Sequence, residues 1–218
     1  MKSLRIVIAL LASGLVAVGE EDVEKGQQQR IAELLDQQLN DVYQRVTDSA
    51  TSEHAQNIRE AQRSWLKYRD AEVKAVDLRL HDGNKLWEKT RDDDREFRQE
   101  QLTLARIEEL SRQLRYDKDD YAPQHYVGEY GVMLGELGVS LDIKDAFDAF
   151  KAEAHRGIDG KSGTHFSIFG SARITAPHVL TITGTGRDAA KALMLGDHCI
   201  LYWENFRFFL LSRYGRSP

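Results

Sequence analysis

The 218-residue chain has one cysteine, three prolines and, across residues 20–115, only two glycines, Gly26 and Gly83. A single cysteine excludes any disulfide within the chain, so stability must come from packing even in an oxidising compartment. Cys199 lies in the apolar run CILYW, which reads as a buried, inert thiol. The scarcity of proline and glycine in the first half removes the residues that break helices. No serine stands in a G-x-S-x-G elbow, no H-E-x-x-H occurs, and no two of the seven histidines are three or four residues apart. The spacings of serine hydrolases and zinc sites are therefore missing. Neither a metal nor a cofactor is expected, and the chain does not read as an enzyme. Its longest apolar run, residues 6–18, falls short of the roughly 20 residues of a membrane span.

That run is preceded by Lys2 and Arg5 and followed by Ala17-Val18-Gly19 and an acidic start. This is the order of a secretory signal peptide, with cleavage expected after Gly19 and a periplasmic or secreted product without a membrane span. The formal charge of the whole chain is −5, and removing Lys2 and Arg5 makes the product two charges more acidic. An acidic protein is repelled by phosphate backbones, which argues against nucleic acid, and is steered toward basic partners.

Residues 20–115 are rich in Gln, Glu, Arg, Leu and Ala. Ile31, Leu35, Leu39, Val42 and Val46 recur at spacings of three and four, as on one face of a helix. A second stripe is Ile58, Ala61, Trp65, Tyr68 and Val76, and a third is Phe97, Leu104, Ile107, Leu110 and Leu114. Thr51-Ser52-Glu53 supplies capping residues between the first two helices, and His81-Asp82-Gly83-Asn84 a turn after the second. The expectation is a three-helix antiparallel bundle over residues 20–116. Within it, consecutive Asp92, Asp93 and Asp94 fan around a helix and do not converge on an ion.

Composition changes over residues 117–126, which reads as a linker to a second, α+β domain at 127–218 with a mostly antiparallel sheet. VMLGELGVSL suggests a strand pair, and THFSIF, HVLTIT, HCILYW and FRFFLL read as four more strands. A helix is expected from Asp142, with Ile143, Phe147, Phe150 and Ala154 on its apolar side. Gly160-Lys161-Ser162 ends like a phosphate loop, but its opening glycine is replaced by His155 and a strand follows where a helix is required. Gly184, Gly186 and Ala189 satisfy G-x-G-x-x-A, with Glu204 twenty residues on, but only 14 residues follow Glu204. The remaining strands of a dinucleotide fold have no chain to form them, and the stretch reads as a glycine turn feeding a short helix.

The stretch AQRSWLKYRD places Gln62, Trp65 and Arg69 on one narrow helical stripe beside Ala61 and Tyr68. Opposite it the first helix offers Leu39, Asn40 and Tyr43. A buried polar group left unpaired costs about 1–3 kcal/mol, so Asn40, Gln62 and Arg69 or Asp70 are expected to bond across the helix pair. These two blocks, Leu39-Asn40-x-x-Tyr43 and Ala61-Gln62-x-x-Trp65-x-x-Tyr68-Arg69-Asp70, resemble the signature of the LprI-type lysozyme-inhibitor N-terminal domain family over residues 20–115. The resemblance implies a helical domain that binds a basic, lysozyme-type glycan hydrolase. The motif then serves mainly as an internal clamp, with its exposed edge as a second reading. The family's cysteine three residues after Arg-Asp is Val73 here, and a missing disulfide typically removes about 2–5 kcal/mol that packing must replace. The alternative is an envelope accessory module whose second domain binds a protein or glycan without inhibiting lysozyme.

Overall fold

The computed structural model describes the backbone of residues 2–79, 88–114, 126–134, 137–144, 150–158, 166–184, 189–203 and 208–213. Side chains are described for 25–76, 94–114, 126–132, 139–143, 171–183, 190–202 and 208–213. Three helices come first, α1 (Lys2–Ser49), α2 (Ser52–Arg79) and α3 (Glu88–Ser111), and α3 lies against both of the others. The α1 stripe Ile31, Leu35, Leu39, Val42 and Val46 is buried throughout. At the α1–α2 corner the Thr51 hydroxyl accepts the His54 N–H at 3.4 Å, and the Thr51 carbonyl accepts the first intrahelical bond, from Ala55, at 2.8 Å. This is the expected cap. The turn expected at residues 81–84 lies outside the described residues, as does the linker apart from Tyr126.

Eight antiparallel strands follow: β1 (Gly128–Leu134), β2 (Leu137–Lys144), β3 (Phe150–Ile158), β4 (Phe166–Ala176), β5 (Val179–Gly184), β6 (Ala189–Leu195), β7 (His198–Trp203) and β8 (Phe208–Arg213). Each pairs with its neighbour in sequence, and β8 returns to β1 to close a barrel. The chain is thus α+β with an antiparallel sheet in its second half, as expected, but the helix expected from Asp142 is corrected. Asp142 does not start a helix but pairs with Glu129 and Glu153 inside the sheet, and Ile143 fills the barrel interior. Local spacing suited a helix there, but burial inside a closed sheet decided the outcome. Likewise Ala189–Leu195, where a short helix was expected, is β6, paired with β5 and β7.

Alternation along the strands separates two cores. Tyr130, Leu141, Ile143, Leu180, Ile182, Ala192, Cys199, Leu201, Phe209 and Leu211 point inward and pack together. Val179, Leu193, Ile200 and Phe208 point outward and pack on Ile31, Leu35, Leu39, Val42 and Ile107 of the helices. That is why CILYW and FFLL are apolar without alternation: these strands are covered on both faces. A register shift between Ile174 and Ala176 moves Ala176 from the interior side to the helix side.

At the barrel seam, among the described residues, β1 and β8 share the pairs Tyr130–Arg213 and Gly131–Ser212. Along the rest of β8, the Gln27 and Gln28 side-chain amides of α1 donate to the carbonyls of Leu210 and Phe208 at 3.3 and 3.4 Å. The first helix therefore covers a strand edge that would otherwise be open to another chain.

Candidate functional site

Leu66 and Tyr68, 36% and 50% exposed, are the large apolar side chains most open to solvent among the described residues, and both lie in the α2 motif segment. Beneath them Arg106 of α3, only 6% exposed, donates from Nε to Gln62 Oε1 at 3.0 Å and from Nη1 to Glu109 at 2.7 Å. Its guanidinium stands 5.9 Å from the centre of the Trp65 ring, and the Arg69 guanidinium stands 5.3 Å from the same ring. Trp65 is thus flanked by two cations, a favourable arrangement for an indole face. Arg69 reaches Asp36 of α1 at 3.9 Å and its neighbour Asp70 at 3.4 Å. A parallel tie, Arg98 of α3 to Glu72 of α2 at 2.6 Å, lies one turn along.

The motif residues divide by face. Leu39 is buried, and Tyr43, Gln62, Trp65 and Arg69 are half-buried at the helix contacts. Asn40, Ala61, Tyr68 and Asp70 are exposed. The expected bond from Asn40 to the second helix is not made, because burying Leu39 turns the next residue about 100° away. Gln62 is paired by α3 instead of α1, and Arg69 by Asp36 instead of Asn40. Sequence reasoning missed Arg106 and Asp36. The available signal was Arg106 itself, an arginine at the spacing of the apolar stripe between Thr103 and Leu110. Val73, at the position of the family cysteine, is half-buried in α2.

Glu108 of α3 joins the helices to the barrel. Its carboxylate, 5% exposed, accepts from Lys191 of β6 at 2.5 Å and from Arg112. Burial raises its proton affinity, but the Lys191 ammonium, the Thr175 hydroxyl and the Arg112 guanidinium outweigh it and hold the carboxyl below its ordinary range. Gln101 adds a bond to the Tyr202 hydroxyl at 2.8 Å. Cys199 lies wholly inside the barrel, where burial pushes its thiol far above the usual range and makes it a poor nucleophile.

An open cleft of about 560 Å³ runs between α1 and two barrel turns, lined by Gln38, Asp41, Arg45, His178, Met194 and Gly196. His178 has a positive φ of 62° and is fixed by the Tyr126 hydroxyl on its N–H (3.2 Å) and by the Met194 N–H on its carbonyl (2.7 Å). The cleft lining carries Asp41 and Arg45, one charge of each sign, beside His178 and the neutral amide of Gln38.

No curated protein and no solved structure matches this chain at a significant level. Among family models, the one described as "Lysozyme inhibitor LprI" matches residues 24–118, which contain the whole motif and the α3 residues that lock it. Residues 24–118 of this chain are thus similar to the lysozyme inhibitor LprI family.

Proposed function

We propose that this protein is an exported, non-catalytic inhibitor of a lysozyme or related peptidoglycan-degrading enzyme, working in the periplasm or outside the cell. The family match over residues 24–118 carries this reading. Its helical segment holds the binding surface, and the barrel is the platform on which α1 and α3 are fixed. The acidic chain suits a basic hydrolase, whose approach it would accelerate at low salt. The described barrel interior is filled with side chains, which favours a surface on the helices over a ligand inside the barrel.

The test is hydrolysis of purified cell walls by a panel of lysozymes with increasing amounts of the mature protein. Dose-dependent slowing of at least one enzyme, weaker at high salt, is expected. Full activity of every enzyme in the presence of folded protein removes the reading.

A further inference from the structure

Arginines at the helix contacts and toward the barrel are paired with acids: Arg69 with Asp36 and Asp70, Arg98 with Glu72, Arg106 with Glu109, and Arg112 with Glu108. The outer edge of α2 is different. Arg59, Arg63, Lys67 and Lys74 are all exposed, and none makes an ion pair or a side-chain hydrogen bond among the described residues. Arg59, Arg63 and Lys67 are spaced four apart, so they stand one above another on successive turns. From Arg59 to Lys74 the edge extends about 22 Å at the helical rise. Like charges four apart repel one another along the row, which their exposure to solvent moderates. With exposed Glu60 beside Arg63, and Asp70 between Lys67 and Lys74 drawn to Arg69, they form a ridge that is cationic on balance, on a chain whose net charge is −5. Leu66, one of the most exposed apolar side chains, lies on the same side of α2 as Arg59 and Arg63.

We propose that this ridge, Arg59, Arg63, Lys67 and Lys74 around Leu66, is the surface that enters the carboxylate-lined glycan cleft of the target hydrolase. This rests on the inhibitor reading above. Glycoside hydrolases of this type place two carboxyl groups on either side of the scissile bond, so their cleft is locally acidic even where the enzyme as a whole is basic. The two levels of charge then act together. The acidic body of the inhibitor favours approach to a basic enzyme, and the cationic ridge selects the acidic cleft once there. The clamp beneath the ridge has a function in this arrangement. Gln62, Trp65 and Arg69 fix the inner face of α2 to α1 and α3, so the backbone of the outer face needs no ordering on binding and only its side chains lose freedom. A helix that lies on an anionic membrane needs its apolar face free, whereas Ile58, Trp65, Val73 and Val76 of α2 are turned toward the protein.

The experiment uses the mature full chain and three proteins: wild type, Arg63→Glu with Lys67→Glu, and Arg173→Glu as a control for a lost positive charge on the exposed surface of the barrel. Folding of each is checked by circular dichroism and thermal melting. Inhibition of a lysozyme that wild type inhibits should weaken about tenfold or more in the double variant and stay within about twofold in the control. A chito-oligosaccharide filling the enzyme's cleft should compete with binding of the wild type. A folded double variant that inhibits as well as wild type overturns the ridge while leaving the inhibitor reading intact. Loss of inhibition without competition by the oligosaccharide overturns the cleft as the occupant. A wild type that inhibits no lysozyme but is retained by phosphatidylglycerol vesicles overturns both readings and reassigns the ridge to a membrane surface.

Discussion

Glu108 on α3 and Lys191 on β6 form an ion pair at 2.5 Å, and it links a helix of the family segment to a strand of the barrel. The acid is almost fully buried while the lysine is about one-third exposed. Removing the acid leaves a cation that water can still reach, so the full penalty of an orphaned buried charge does not apply. Glu108→Gln is expected to lower the unfolding free energy by about 1–2 kcal/mol, measured by urea titration at neutral pH.

The same carboxylate gives a pH dependence of known sign. Its proton affinity is lower in the folded protein than its ordinary value of 4.5. Its contribution is therefore complete above that value and is lost as pH falls through the lowered folded value. Wild type should lose stability on acidification below pH 4.5, and Glu108→Gln should lose less over the same range. Parallel stability curves for the two proteins below that pH would contradict the assignment.

Arg106 offers a test of the clamp. Arg106→Lys keeps the charge but gives up the planar fork that reaches Gln62 and Glu109 while facing Trp65. A loss of about 1–2 kcal/mol is expected, read as a lower thermal midpoint. Arg69→Ala should cost less, about 0.5 kcal/mol, because Asp36 and Asp70 are both mainly solvated. If Arg69→Ala proves the more damaging, Trp65 is held from the α1 side and not by α3.

Much of the helical segment was legible in sequence because its signals are local. The α1 stripe, the Thr51 cap and the α3 stripe each follow from spacing within a few turns, and all are found. The α2 stripe was only partly right: Ile58 is buried, but Ala61 and Tyr68 face solvent. A helix covered on one narrow side looks much like one covered on a wide side until its neighbours are known. In the second half, β7 and β8 announced themselves by continuous apolar runs, while β3 and β6 did not. Their sequences, FKAEAHRGI and AAKALML, are rich in alanine and lysine, which favour helices in isolation. What makes them strands is pairing on both sides within a closed barrel, a constraint spread over residues far apart in sequence. Arg106 was missed for the same reason, since its partners Gln62 and Trp65 lie more than forty residues away.

The covering of the barrel seam leads to a further expectation. Gln27→Ala with Gln28→Ala removes the two side chains that satisfy the Leu210 and Phe208 carbonyls. The loss should be modest in free energy, about 1 kcal/mol per bond. Its position should be specific, because amide exchange should accelerate along β8 and its partner β1, and hardly at all in β5 and β6. Uniform acceleration in all eight strands would show that α1 supports the whole barrel rather than its edge.

The last expectation concerns the family segment in isolation. In the full chain, Ile31, Leu35, Leu39, Val42 and Ile107 pack on Val179, Leu193, Ile200 and Phe208 of the barrel. Burying a large aliphatic side chain of this kind contributes about 1.5–3 kcal/mol, and separating the halves returns part of each to water. The segment also has no disulfide to offset that loss, since Val73 stands where the family cysteine would be. Residues 24–118 produced alone should therefore aggregate or melt without a cooperative transition, while the full chain unfolds cooperatively by circular dichroism. The barrel residues would then be part of what makes the matched segment fold, and the barrel would need no binding activity of its own to explain its presence. A segment that melts cooperatively, with a midpoint close to that of the full chain, would instead show that α1, α2 and α3 carry enough core among themselves.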